Sequence, residues 1–479
     1  MSSLPKKVHI IGICGVATSA LAIALHKKGV KVTGSDKGFF PPVSTELEKH
    51  GVSFYAGWHP EKMCSAEHAG GGANNSAPDV IIVGTASGSQ NPETIYAKEH
   101  GIPMYSFAEA IGEFFAKEHS IVCVGTWGKT SSAALLSFIL GHAGWDPTYM
   151  FGGVSLSHDS SAQLTDSSWS VFEGDEYKSS PTDPTAKFFY YKPTHLLLTA
   201  VSWDHADLYP TEKEYFAAFE KLLGTIPATG FITACTDHTG VHTIIDIFKG
   251  RKVTYGKNNA QYTYSNVNQT QQGIDLHITF NATDYAVHSP MLGSYQAENI
   301  TGCFALAHSL GISPEKIIKA ISLFNGLKRR LEKRLDSGSK GITILDDIAH
   351  SPEKASSVLA TLRQIYSGKI IALFEPNIGG RSRESAAKYD NAFKDADVVI
   401  IPRLTKLKVA DDALQQPMEG DELAATISKT HTNTKYIDDD ATLVQFLVSN
   451  AQKDDCIVFL GSHGFRGMIE EVVKMIDVQ

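Results

Sequence analysis

The ten residues Val122-Cys-Val-Gly-Thr-Trp-Gly-Lys-Thr-Ser131 constrain this chain more than any others. A strand-like apolar run, 120–124, breaks at a glycine-containing turn and passes directly into an apolar helical segment, 133–140. Backbone N–H groups at such a helix N-terminus can wrap a polyphosphate, because the unpaired donors and the helix dipole both favour an anion. The pattern offers Lys129 to the terminal phosphates and the Thr130 hydroxyl to an accompanying Mg²⁺, with Gly125, Thr126, Gly128 and Ser131 completing the loop. The general phosphate-loop pattern has glycine where Cys123 stands, so this loop is a variant with an extra glycine at Gly125. A nucleoside-triphosphate site on an α/β sheet is the expectation.

With 479 residues, the chain is long enough for about two to four domains. Its net charge of -9 disfavours non-specific binding to nucleic acid or a membrane surface, so local cations must hold any anionic ligand. No apolar run approaches the ~18 residues of a membrane span. The polar start, 1–7, leads straight into a strand without the character of a signal peptide. The six cysteines are scattered, without paired metal-ligand spacing, as expected of reduced thiols in a cytoplasmic protein.

Three α/β blocks follow one another. In the first, a strand (7–11) runs into the turn Gly12-Ile-Cys-Gly15, a helix and a second strand, with Asp36 about 20 residues beyond the turn, where a Rossmann-like unit places an acid against a ribose. Gly12 and Gly15 fit G-x-x-G rather than the full dinucleotide fingerprint, and a purely structural turn is the alternative. The glycine-rich stretch 70–76 reads as a mobile loop. In the second block, two acidic strand ends follow the phosphate loop: Glu173-Gly-Asp-Glu176 and Asp204-His-Ala-Asp207. Ligands gather at the carboxyl ends of parallel strands. One carboxylate with Thr130 and the phosphates suffices for Mg²⁺, and His205 is a candidate for a second metal or a substrate oxygen. Alternating residues over 255–287 predict a small antiparallel sheet. The third block repeats the α/β alternation and carries Lys328-Arg-Arg-Leu-Glu332 and Asp346-Asp-Ile-Ala-His-Ser-Pro352.

Gly-Thr-x-Gly-Lys-Thr, the Glu173 strand end, Asp-His-x-Asp, Asn299 after Gly293, Arg330-Leu-Glu and Asp347-x-Ala-His-x-Pro352 occur in the order of the Mur ligase superfamily, and the chain resembles that superfamily over essentially its whole length. The resemblance implies three domains: a Rossmann-like UDP-binding domain (1–117), a central P-loop ATPase-like domain (118–326) and a C-terminal Rossmann-like domain (327–479). It implies ATP and Mg²⁺, with Thr130, Glu173 and His205 at the metals and Asn299, Arg330 and Asp347 on the nucleotide. Lys129, Glu173, His205, Arg330, Asp347 and His350 are the implied catalytic set, the third domain completing the site. An acyl phosphate is the implied intermediate. Gly12, Gly15, Asp36, Thr85, Ser87 and Asp207 are implied for UDP-N-acetylmuramate.

Within the superfamily, His9-Ile-Ile-Gly-Ile-Cys-Gly15, the segment 177–191 and Trp203-Asp-His-Ala-Asp-Leu208 resemble the murein peptide ligase branch. That branch implies a cell-wall peptide, L-alanyl-γ-D-glutamyl-meso-diaminopimelate, as the amine substrate. Arg381 and Arg383, which follow Gly379-Gly380 just after a strand end where the family's own run is altered, are candidates to clamp one of its carboxylates; a solvated loop with surface arginines is the alternative. The sibling branch uses L-alanine instead. The expected partners are small molecules only, the protein being a monomer or weak homodimer. A nucleotide-sugar dehydrogenase would leave the phosphate loop unexplained, and a non-catalytic ATP-gated module would not need Glu173, His205 and Asp207.

Overall fold

The computed structural model describes residues 4–41, 43–64, 77–84, 88–406 and 417–477. Its first sheet is parallel throughout: β1 (Lys7–Ile11), β2 (Lys31–Asp36), β3 (Ser53–Ala56), β4 (Val80–Val83) and β5 (Met104–Ser106), in the order β3-β2-β1-β4-β5. Chain order reverses between β1 and β4, and a crevice opens beyond the strand ends at such a switch point. The Gly12–Gly15 turn and Gly84 sit there, tied by the Gly84 N–H donating to Ile11 O at 2.8 Å. Thr85 and Ser87, and the expected loop at 70–76, lie outside the described residues.

The second sheet has ten strands. Its parallel centre comprises β6 (His119–Val124), β7 (Thr148–Met150), β9 (Trp169–Gly174), β12 (His195–Leu198), β13 (Phe231–Cys235) and β14 (Arg251–Gly256); β8 (Ala162–Gln163) pairs antiparallel with β7 at one edge. A separate hairpin, β10 (Lys178–Ser180) and β11 (Asp183–Ala186), follows β9. β6 lies between β9 and β12, so the loop that leaves it is flanked by the ends of both neighbours. The helix Lys129–His142 then packs against the sheet with Leu135, Leu136, Ile139 and Leu140 fully buried. Each contributes about 1.5–3 kcal/mol of hydrophobic burial, which holds the helix N-terminus in place.

The small antiparallel sheet expected over 255–287 is not separate. β15 (Tyr262–Thr270), β16 (Gly273–Phe280) and β17 (Thr283–Ser289) extend the central sheet beyond β14. Two-residue connections make successive strands antiparallel. Asn281 and Ala282, both at positive φ (49° and 61°), form the second turn, the backbone that a twisted hairpin favours. The alternation of residues shows that a strand is half buried, but not which edge it joins.

Close packing divides the chain into two compact units: residues 1–266, 276–289 and 297–325 in one, and 267–275, 290–296 and 326–479 in the other. The latter holds a six-stranded sheet, β18 (Glu332–Leu335), β19 (Thr343–Asp347), β20 (Ile370–Glu375), β21 (Val398–Pro402), β22 (Thr434–Ile437) and β23 (Cys456–Gly461), ordered β18-β19-β23-β20-β21-β22. Only β18 is antiparallel to its neighbour. Among the described residues no helix is long and apolar enough to cross a membrane.

Candidate active site

Gly125 (φ 134°) and Gly128 (φ 81°) turn the chain from β6 into the helix. A Cβ on Gly125 would stand 2.3 Å from Thr199 Oγ1, and one on Gly128 would stand 2.6 Å from Asn299 Oδ1. Both positions therefore require glycine on sterics as well as on φ. Thr126 secures the loop to the end of β12: its N–H donates to Ala200 O at 2.7 Å, and its hydroxyl donates to Ser202 O at 2.9 Å. No side chain among the described residues caps the helix at Gly128, so its first N–H groups keep the geometry that binds an anion.

The acidic strand end sits directly beside this loop. Register pairs Cys123 with Glu173, and the Thr130 hydroxyl donates to Glu173 Oε1 at 2.7 Å while the Gly152 N–H donates to Oε2 at 2.6 Å. A hydroxyl and a carboxylate in contact are the hard oxygen donors that Mg²⁺ prefers, and the glycine cradle suits a polyphosphate. The donor set therefore fits both ligands implied by the sequence.

Glu176, to which the sequence reading gave no role, is 1 % exposed and grips Lys129: Nζ lies 2.7 Å from Oε2 and 3.0 Å from Oε1. His205 Nε2 is 3.6 Å from Glu176 Oε1, and the Tyr215 hydroxyl donates to that oxygen at 3.3 Å. Burial lifts the Glu176 carboxyl above its ordinary range, against the charge and hydrogen bonds of Lys129. Tyr215 is delivered by the helix Glu212–Leu223, whose start is fixed by a Thr211–Glu214 capping box. His205 takes a positive φ (54°) in the Asp204–Asp207 turn, a backbone cost of order 1–3 kcal/mol found at functional sites. Asp207 accepts the Tyr177 hydroxyl at 2.7 Å. Asn299 approaches the loop through Ser132, whose hydroxyl donates to Asn299 Oδ1 at 3.5 Å. Near it, the exposed Trp127 packs edge-on to His238, which pairs with Glu298 at 2.9 Å. Cys235, His238 and Glu298 offer donor atoms all within 4.8 Å of one another.

A cavity of about 490 Å³ opens at the switch point of the first sheet, lined by Gly12, Gly15, Asp36, Gly84 and Lys187 among others. Asp36 Oδ2 accepts the Cys14 N–H at 2.8 Å and Oδ1 accepts the Lys37 N–H at 2.7 Å, which binds the acid to the glycine turn. A smaller cavity of about 130 Å³ shares Ala17, Phe107 and Lys187 with it and reaches Gly152 and Glu173. Lys187 donates to Asp175 Oδ2 at 2.6 Å; against the cost of burial, its charge and hydrogen bond hold the Asp175 carboxyl below the usual range. Neither residue was singled out from sequence. The cluster Glu173-Gly-Asp-Glu176 held the signal for Asp175 and Glu176, but nothing in spacing marked Lys187.

Arg330, Asp347, His350 and Arg381 belong to the second unit. Asp347 is buried and accepts the N–H groups of Leu331 and Ala349, each at 2.8 Å, and burial lifts its carboxyl above the ordinary range. Arg330 is exposed. His350 faces Ile348 O through Nδ1 at 2.7 Å, and burial lowers its pKa. Arg381 does not match its expected role as a peptide clamp. It is 3 % exposed, with Nε donating to Met418 O at 3.0 Å, Nη1 to Thr405 O at 2.9 Å and Nη2 to Glu419 at 3.2 Å. A guanidinium committed to internal carbonyls is a structural tie rather than a free fork.

Three family models cover most of the chain: the Mur ligase family catalytic domain (residues 7–119), the Mur ligase middle domain (124–307) and the Mur ligase glutamate ligase domain (329–463). This chain belongs to the Mur ligase family. Its members are ATP-dependent ligases that form amide bonds, and the α/β architecture is that of the three-domain Mur ligases. The chain is 30 % identical to a UDP-N-acetylmuramate--L-alanine ligase of Mesorhizobium japonicum over 95 % of this chain and 94 % of that one. It is 30 % identical to a ligase of the same name from Allorhizobium ampelinum, covering 96 % and 95 %. Among solved structures, the UDP-N-acetylmuramate-alanine ligase of Thermotoga maritima matches at a TM-score of 0.76 with 21 % identity, covering 98 % of each chain. A murein peptide ligase of Psychrobacter arcticus matches at 0.66 with 23 % identity, covering 98 % and 99 %. These two share the fold. The expected tripeptide substrate is overturned by the full-length relatives, which are named as L-alanine ligases.

Proposed function

We propose that this Mur ligase joins UDP-N-acetylmuramate to L-alanine in the cytoplasm, using ATP and Mg²⁺. The reading is carried by full-length relatives at 30 % identity that bear that name. The two cavities that share Ala17, Phe107 and Lys187, one reaching Asp36 and the other Glu173, support it, because a nucleotide sugar held across them would direct its acid group at the phosphate loop.

In this reading the lactyl carboxylate attacks the γ-phosphate of ATP, ADP leaves, the α-amine of L-alanine attacks the acyl carbon, and inorganic phosphate leaves. Phosphoryl transfer needs positioning and charge neutralisation rather than covalent chemistry from the protein. Lys129 and the N–H groups at Gly128–Ser131 would hold the phosphates; Thr130 and Glu173 would hold the metal, whose chemistry is to neutralise phosphate charge, with His205 beside a second. Asn299, Arg330, Asp347 and His350 are assigned to the nucleotide and catalysis on the family motifs they match, and 1–117, 118–326 and 327–479 are the proposed domain limits. ADP release with UDP-N-acetylmuramate plus either amine tests the reading. A larger kcat/KM for L-alanine is expected, and a preference for the tripeptide would overturn it.

A further inference from the structure

Lys187 stands where the two cavities meet. It lines both, together with Ala17 and Phe107, and among the described residues it is the only cation on the smaller one. Its side chain is 17 % exposed. An ammonium carries three N–H donors, and among the described residues Nζ has one partner, Asp175 Oδ2. A largely buried cation with donors to spare, on the wall of a cavity, is suited to an anion arriving through that cavity.

The two ends of the passage indicate which anion. At the far end of the larger cavity lie the Gly12–Gly15 turn and Asp36, with the N-terminus of the helix Val16–Lys27 beside the turn. That end suits the nucleotide and its phosphates. At the far end of the smaller cavity lies Glu173, already in contact with Thr130 of the phosphate loop. A group halfway between them is neither the base nor the ATP phosphates. It is the part of the sugar nucleotide that must be brought to the phosphate loop.

We propose that Lys187 is a substrate-binding residue that holds the carboxylate of the acidic nucleotide sugar, with Asp175 fixing its ammonium in place. The inference rests on the proposed function, because it takes the acid group to be the one phosphorylated. The arrangement gives a role to a largely buried lysine held by Asp175. Asp175 orients it, and the ammonium charge attracts the incoming carboxylate.

Binding titrations on the full chain test this with three ligands: UDP, UDP-N-acetylglucosamine, which lacks the lactyl acid, and UDP-N-acetylmuramate. Lys187→Met should weaken UDP-N-acetylmuramate roughly ten- to a hundredfold, the range for losing a charged hydrogen bond, and leave the other two within about twofold. Equal losses on all three would place the lysine at the pyrophosphate and overturn the proposal, as would no loss on any. Because Lys187→Met leaves Asp175 without its cation, the double variant Lys187→Met/Asp175→Asn is measured alongside; it must show the same selective loss with a wild-type melting temperature. Should the wild type bind UDP-N-acetylglucosamine as tightly as UDP-N-acetylmuramate, the functional reading falls. A selective loss in the variants alone bears on Lys187.

Discussion

Lys129 Nζ and Glu176 Oε2 lie 2.7 Å apart, the lysine side chain 13 % exposed and the glutamate 1 %. The loop's lysine and the last acid of the strand end are therefore one largely buried pair. Lys129→Ala should lower turnover at least a hundredfold, because the charge proposed to hold the phosphates is lost. It should also cost about 3–5 kcal/mol of stability by stranding a buried carboxylate. Lys129→Ala/Glu176→Gln should recover most of the stability and none of the turnover, which denaturant titration and ADP-release rates can separate.

Gly128→Ala forces φ 81° on a residue with a Cβ and brings that carbon to 2.6 Å from Asn299 Oδ1. The backbone alone costs about 1–2 kcal/mol. ATP binding measured by calorimetry should weaken by more than tenfold, whereas Gly144→Ala, also at positive φ (90°) but with nothing within 4 Å of the added carbon, should leave it unchanged.

Arg381→Ala should act on folding rather than on substrate. Its guanidinium ties Met418 and Thr405 carbonyls together in a buried setting, and losing such charged hydrogen bonds costs about 1.5–3 kcal/mol each. The melting temperature should fall while the KM for the amine substrate in surviving protein stays within about twofold.

Two histidines, the partly buried His158 and the buried His195, set an acid limit. Burial lowers His158 to about 4, and burial with the charges of His119 and Arg251 lowers His195 to about 4. The unfolded chain, with histidines near 6.5, binds more protons between these values. Their contribution is complete above about pH 6.5 and is lost as pH falls towards 4, at about 2 kcal/mol per histidine between pH 7.5 and 5. His195→Asn should flatten the fall of unfolding free energy over that range, read from denaturation midpoints at several pH values.

What the sequence determined by itself was local. The turn from β6 into its helix is one contiguous stretch, so Gly125, Gly128, Lys129 and Thr130 marked a candidate phosphate loop through spacing alone, and the structure adds why each glycine must be one. Glu173 was legible for the same reason: it ends a strand, and acids at strand ends in a parallel sheet face the loops. The resemblance in motif order then identified the family along the whole chain. What tertiary structure decided was pairing over distance. Asp175 and Lys187 are twelve positions apart and belong to no shared motif; they meet only because the hairpin 178–186 doubles the chain back onto the end of β9. Arg381 looked from its glycine-rich surroundings like a surface fork, yet it is buried among the carbonyls of residues 405 and 418. Spacing reports which groups share a turn or a face, whereas the partner of a charged side chain depends on which remote segment desolvates it, and that is settled only when the sheets and their connections pack.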